Sequence, residues 1–498
     1  PQQHFSPPRR SSDLDLWRKD VGIMVGHTEM VPRLVTLPVE MERYGNKASL
    51  GVEYKYNSPL EFMPGDTLNT YTTFVGVHQG DYFAALQQYS EMMQSRGITF
   101  VPSEPEAFEA VWCAWGYGRE FTMQDIYGAL PKVKEMGIKW VDIDDGYQIT
   151  EGDWMVDRNR FPGGNQEMKQ LVDKIHSYGM KAKLWWAPLA IDLNSNLLSE
   201  NPDLLLIRSD GSPQYITWWN AFYMSPTYEA TRNHTREVLN MFINEWGFDG
   251  LKMDGQHLNS VAPNYNRRHR LERPEEDNER LPEFFEMIYN ETTSMKPGAV
   301  IQNCPCGCAV SFYNIPWMNQ AVSSDPTSSF QIRHKGKTYK AINPGLAYYG
   351  DHVELSDNND DFGTQLGIGS VLGTKFTWPD NPAKPNNNLL THEKEPVWKK
   401  WFNLYNSKML SREPYLGELY DIGYDKPETH VIQKGDTMFY ALYADEWNGA
   451  VEIRGLKEGS YRVRDYVNDI DIGTVNADNP KISLSFSRNL LIEAWPVK

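Results

Sequence analysis

The stretch WGFDGLKMDGQHLNS, residues 246–260, carries an apolar run that ends in two opposite charges, Lys252 and Asp254. Residues two apart on a strand point the same way. A buried charge costs several kcal/mol unless it is paired or used. A structural ion pair at a strand end is one reading of this stretch. Other apolar runs in the chain end in similarly polar groups: Asp142, Asp144 and Asp145; Asn303 and Cys304; Ser324 and Asp325. KLWWAP ends in Trp185 and Trp186. Carboxylates on several strand ends, beside aromatic rings and few cations, suit glycoside chemistry. An oxocarbenium-like transition state needs one carboxylate beneath the anomeric carbon and one carboxylic acid at the leaving oxygen. Asp254 and Asp325, on different strands, form the best pair.

Other chemistries fit less well. A metal-dependent hydrolase would add His ligands at strand ends, and the nearest, His257, stands alone. Cys304, Cys306 and Cys308 share one CPCGC run with Cys113 far away, so neither a zinc site nor a disulfide framework is expected. No Gly-rich phosphate loop follows a strand. Hence no metal and no cofactor are expected.

The elements that must position these groups fall into three blocks. Residues 1–104 contain short β-branched runs, VPRLVTLPVEME, SLGVEYKYN and NTYTTFVGVH, then a helical pattern over 80–97. They read as the end of an N-terminal β-sandwich plus a connecting helix. Over 105–410, short apolar runs alternate with amphipathic helices. The runs are EAVWCAW, IKWVDID, KAKLWWAP, FDGLKMD, AVIQNC, AVSSD, LAYYGDHV and GTKFTW. Eight such strands predict an α/β fold, a (β/α)8 TIM barrel, with its chemistry at the carboxyl ends of the strands. The helix at TMQDIYGALPKVKEMG is expected to break or restart at Pro131. Residues 411–498 alternate as strands between Gly and Asp turns and predict a C-terminal antiparallel β-sandwich.

Composition agrees with a globular protein: 40% of residues are hydrophobic and 23% charged. A net charge of −17 argues against nucleic acid or an anionic membrane as partner. No run of eighteen apolar residues is present, and PQQHFSPPRR lacks the apolar segment of a signal peptide. A soluble chain is expected, with its compartment unassigned. Sixteen Trp and twenty-seven Tyr exceed what a core of this size needs, and such rings suit the apolar faces of sugars.

In order along the chain, the motifs resemble glycoside hydrolase family 36, the α-galactosidase family, which shares a clan with family 27. IDDGYQ (143–148) resembles its D-D-G-W, and EGDWMVDRNRFPGG its G-D-W and F-P-x-G segments. YGMKAKLWWAPLAIDLNSNLLSENPDLLL follows its third strand and loop. LKMDG resembles the nucleophile motif, CPCG the C-x-x-G loop, SSDPTSSFQIR the acid/base motif with its downstream Arg, and DHVELS the H-V-S segment. The resemblance covers residues 60 to 410.

It implies a retaining exo-α-galactosidase, with Asp254 as nucleophile and Asp325 as acid/base, their carboxyl groups about 5–5.5 Å apart. It implies that Asp144 and Asp145 accept from the sugar's O4 and O6 hydroxyls; the alternative for that pair is a helix N-cap. Lys252 would keep Asp254 ionised while touching the sugar. Trp185 and Trp186 alternate, so one would face the site and one the helices. Cys304 and Gly307 would line the pocket, and Arg333 would orient the site or serve structure alone. The implied partner is an oligosaccharide or glycoconjugate ending in an α-galactosyl-type sugar, and a homo-oligomer is compatible with it.

The sequence departs from the family at three points. GCAVSFYNIPW replaces the family's G-R-x-D segment, Asp325 lacks a following acidic residue, and DDGY replaces DDGW. The first two surround the sugar's C2 position and the leaving group. An α-N-acetylgalactosaminidase is therefore the alternative, beside a raffinose-synthase-like galactosyl transferase and a catalytically silent galactose-binding barrel.

Overall fold

The computed structural model describes residues 13–19, 21–45, 47–56, 60–384 and 387–497. The decapeptide expected to lack a signal segment lies outside these, as does the end of SLGVEYKYN. Strands β1 (Asp13–Arg18), β2 (Val21–His27) and β3 (Thr73–His78) form a three-stranded antiparallel sheet. Between β2 and β3 the chain makes short pairings, Val35–Thr36 with Glu53–Tyr54 and Val39–Met41 with Ala48–Leu50. Helix α1 (Tyr82–Ser95) follows, capped by Asp81, whose side chain accepts from the Phe83 N–H.

Eight parallel strands then close a barrel, as expected. They are β4 (Val111–Cys113), β5 (Trp140–Ile143), β6 (Lys181–Trp186), β10 (Gly250–Asp254), β11 (Val300–Cys304), β12 (Gln320–Val322), β13 (Ala347–His352) and β14 (Val371–Thr374). The last begins two residues earlier than the GTKFTW run suggests. Between β6 and β10 the chain inserts a small sheet over the barrel mouth: β7 (Ala190–Asp192), β8 (Tyr215–Ile216) and β9 (Ala221–Tyr223).

Helix α2 (Met123–Glu135) corrects one expectation, because it runs unbroken through Pro131. Ile126, Ala129, Leu130 and Val133 are buried on both sides of the proline. Their packing outweighs the roughly 3 kcal/mol that an interior proline costs a helix.

The barrel strands are buried on both faces, and alternation sets which face each side chain takes. Gln302 pairs in register with Lys252, and Cys304 with Asp254. Trp185 pairs with Lys252, while Trp186 pairs with Met253 on the opposite face. Beneath the mouth lies a polar layer. Lys183 Nζ sits 3.1 Å from Asp142 Oδ2 and 3.1 Å from Gln320 Oε1, and Gln302 Nε2 donates to the same Gln320 oxygen. Asp142, singled out with Asp144 at its strand end, thus belongs to the barrel's interior support.

The C-terminal strands β15 (Glu428–Lys434), β16 (Thr437–Glu452), β17 (Ser460–Asp465), β18 (Ile470–Asn476) and β19 (Lys481–Pro496) form one antiparallel sheet, order β15-β16-β19-β17-β18. Its two 16-residue strands shift register between Ala444 and Glu446. The sheet has its own core, including Val431, Tyr440, Leu442, Val463 and Ile492. Among the described residues no helix is long and apolar enough to cross a membrane.

Candidate active site

The carboxyl ends of β5, β6, β10, β11, β12 and β13 bring most of the expected residues to one cleft. Asp254 ends β10 and is half-buried. Its Oδ2 accepts from Trp185 Nε1 at 2.8 Å and its Oδ1 from the Gly255 N–H at 2.7 Å. Gly255 has φ +118°, and a Cβ there would lie 2.2 Å from His257 Nδ1, so this turn requires glycine. Burial raises the Asp254 carboxyl to about 7, against the opposing pull of Lys252 and the Trp185 indole.

Lys252 does not sit as the spacing suggests. Its Nζ pairs with Asp144 Oδ2 at 2.8 Å, two strands away, with both groups buried. Burial opposes the charge of each. The pairing outweighs it, so Asp144 lies below the usual carboxylate range and Lys252 well above the usual ammonium range. Lys252 thus pairs directly with Asp144; it still exerts the strongest pull toward ionisation on Asp254, as expected, but burial outweighs that pull and Asp254 is raised.

Asp144 also accepts from Cys113 Sγ at 3.1 Å and from the Asp145 N–H at 2.9 Å. Asp145 is held by Arg119 Nη2 at 3.0 Å and by Gln148 Nε2 at 2.7 Å. Neither aspartate caps a helix, since the next helix, α3 (Asn165–Ser177), begins behind Gly164. The N-cap alternative is therefore excluded.

Asp325 follows β12 on a loop where two consecutive non-glycine residues have left-handed backbones, Ser324 at φ +56° and Asp325 at φ +45°. Its N–H donates to Asp351 Oδ2 at 2.7 Å. Asp325 opens toward solvent at the rim, yet its flanking loops and then the Asp351 charge raise its carboxyl. Asp325 also raises Asp254, so the two carboxyls share one electrostatic environment. Cys304 is buried at the end of β11, with its Sγ 3.3 Å from Ser324 Oγ; the Gly307 N–H donates to that hydroxyl at 3.0 Å.

The two tryptophans divide as alternation predicts. Trp185 faces the cleft and meets Trp219 edge-on at 5.7 Å, whereas Trp186 packs outward against Phe242 at 5.8 Å. Trp186 is therefore a packing residue. Arg333 also leaves the site: on helix α4 (Ser329–Ile342), its Nε lies 2.6 Å from Glu428 Oε1, and the guanidinium covers the Tyr443 ring at 4.2 Å. It joins the barrel to the C-terminal sheet, the structural alternative raised from its sequence. His257 Nε2 donates to the Pro188 carbonyl at 2.8 Å, and burial lowers the ring to about 4, so it is a neutral brace. Among the described residues no group of three or more His, Cys, Asp or Glu could hold a metal ion.

Sequence reasoning missed Arg119, Trp219, Lys335 and Asp351. Asp351 lay within the quoted DHVELS segment. The others reach the cleft from helix or loop positions whose spacing carries no signal.

A family profile described as Melibiase matches residues 87–365. Among curated proteins, the chain is 30% identical over 500 residues to the A type blood α-D-galactosamine galactosaminidase of Flavonifractor plautii, covering 96% of this chain and 44% of that protein. It is 28% identical over 205 residues to α-galactosidase 2 of Pediococcus pentosaceus, covering 39% of this chain and 27% of that one. The chain thus spans less than half the length of these curated relatives. Among solved structures, an α-galactosidase of Geobacillus stearothermophilus, in complex with 1-deoxygalactonojirimycin, superposes with a TM-score of 0.69 at 16% identity, covering 97% of this chain and 69% of that one. An α-galactosidase from Lactobacillus brevis gives 0.68 at 15% identity, covering 99% and 67%. At such identity these structures speak for the fold alone. The family profile spans more than half of the residues, across the barrel strands that carry Asp144, Asp254 and Asp325, and the chain belongs to the melibiase family.

Proposed function

We propose that this chain is a retaining exo-glycosidase that hydrolyses terminal α-linked galactose or a close 2-substituted relative. The observation that carries the reading is that Asp254 and Asp325 stand at the carboxyl ends of β10 and β12, near enough for Asp325 to raise the Asp254 carboxyl, beside the buried Asp144–Lys252 pair. The ionised Asp254 carboxylate attacks the anomeric carbon while Asp325 gives its proton to the leaving oxygen, breaking the glycosidic bond. Asp325, now ionised, takes a proton from water; that water attacks the anomeric carbon and releases Asp254. Trp185 fixes the attacking carboxylate through one oxygen and leaves the cleft-side lone pairs to the sugar. Lys252 and the two aspartates Asp144 and Asp145 offer charged partners to hydroxyls, which suits selection of an axial O4.

A second reading concerns the substituent at C2. The relative matched over nearly the whole of this chain is named a galactosaminidase, whereas the α-galactosidase of Pediococcus pentosaceus matches over a smaller part. The GCAVSFYNIPW segment also departs from the family's G-R-x-D beside where C2 would lie. We therefore place an α-linked 2-amino or 2-acetamido galactoside beside galactose as substrate.

Initial rates on the p-nitrophenyl α-galactoside, α-galactosaminide and α-N-acetylgalactosaminide test both readings. Cleavage of at least one, abolished by Asp254→Ala and restored by azide with release of a glycosyl azide, is expected. The preferred sugar identifies the C2 substituent. A folded parent that binds galactose and cleaves none of them would instead be a sugar-binding barrel.

A further inference from the structure

The acid loop is shaped by a residue with no assigned role. The peptide unit joining Ser324 and Asp325 is gripped at both ends. Its N–H donates to Asp351 Oδ2, and its carbonyl accepts from Lys335 Nζ at 3.2 Å. Lys335 projects from α4, is half-buried, and also donates to the carbonyls of Ser323 and Gly307. Three carbonyls from two loops thus take up the three donors of one ammonium.

Both loops need holding. Ser324 and Asp325 are left-handed, and so are Cys306 at φ +48° and Gly307 at φ +78° in the facing CPCGC loop. Left-handed non-glycine residues persist only where surrounding contacts over-determine them. Here opposite charges clamp one peptide plane, and the orientation of that plane sets the direction in which the Asp325 side chain leaves the backbone. The Gly307 N–H closes the arrangement by donating to Ser324 Oγ.

We propose that Lys335 is a positioning residue for Asp325: it ties the acid loop to the CPCGC loop and aims the carboxyl at the leaving oxygen. This rests on the reading of Asp325 as the acid. The consequence is a dependence on leaving group. A 2,4-dinitrophenolate departs without protonation, whereas an alkoxide such as methoxide does not.

The test is kcat/KM of Lys335→Met on methyl and 2,4-dinitrophenyl glycosides of the sugar the parent prefers, with thermal unfolding measured alongside. A loss of about 100-fold on the methyl glycoside is expected, the scale of a misplaced general acid, with less than about threefold on the dinitrophenyl glycoside. Lys335→Gln, which keeps one donor, should lose less on the methyl glycoside and guards against a methionine variant that does not fold. Equal losses on both substrates, or none on either, would overturn the proposal while leaving the parent's activity established. A parent that cleaves neither glycoside would reject the reading of the site and this proposal together.

Discussion

Burial lifts the Asp254 carboxyl from the ordinary 3.8 to about 7, so folding takes up a proton between these values. The sign follows by linkage. The folded chain holds the proton more tightly than the unfolded one, so this group's effect on stability is neutral below about pH 4 and increasingly unfavourable up to about pH 7, then levels. A rise from 3.8 to about 7 corresponds to roughly 4 kcal/mol as an upper bound. Because the side chain is half-buried, solvent screening brings this to roughly 3 kcal/mol. Asp254→Asn removes the charge but presents an NH₂ to one of two donors, Trp185 Nε1 or the Gly255 N–H, which costs about 1 kcal/mol. The variant should therefore be more stable than the parent by about 2 kcal/mol at pH 8 and less stable by about 1 kcal/mol at pH 4, while losing turnover. Urea unfolding at the two pH values reads the difference. A stability change of the same sign and size at both would refute the claim that burial strains the Asp254 charge.

Lys252→Met breaks a buried ion pair and leaves Asp144 charged without its main partner, so it should cost about 3–5 kcal/mol in urea unfolding. It also removes the chief group opposing the rise of Asp254, so the acid limb of kcat/KM should move to higher pH. Trp185→Phe keeps a ring but deletes the indole donor to Asp254; the same limb should shift upward, by less than in Lys252→Met. Arg333→Met should lower the unfolding midpoint by disconnecting Glu428 on the C-terminal sheet, with kcat and KM within about twofold of the parent.

Much of this architecture is legible in the sequence. The eight strands could be read because each is a short apolar run bounded by a helix, and Asp254, Asp325 and Asp144 lie at the ends of those runs. Alternation was enough to divide Trp185 from Trp186. What failed depended on contacts between strands. Spacing joined Lys252 to Asp254, and Lys252 does draw that carboxyl toward ionisation, but barrel curvature makes Asp144 the direct partner of the ammonium, which spacing did not show. Arg333 stood near the acid motif in sequence, yet helix α4 turns it outward to Glu428, while Lys335, two residues on, is turned inward to the loops. Helical phase settles which of the two faces the site, and the exact start of a helix is poorly marked by sequence. Pro131 misled because a local rule was applied where packing on both sides governs.

The claim that Asp254 is the nucleophile can be read directly from a trapped intermediate. Incubation with an activated fluorinated α-galactosyl substrate that slows the second displacement, or its 2-amino counterpart should that sugar be preferred, is followed by proteolysis and mass spectrometry. One added glycosyl mass is expected on the peptide that carries Asp254, and none in Asp254→Ala. Label on another carboxylate, or turnover with inversion at the anomeric carbon and no label, would contradict it.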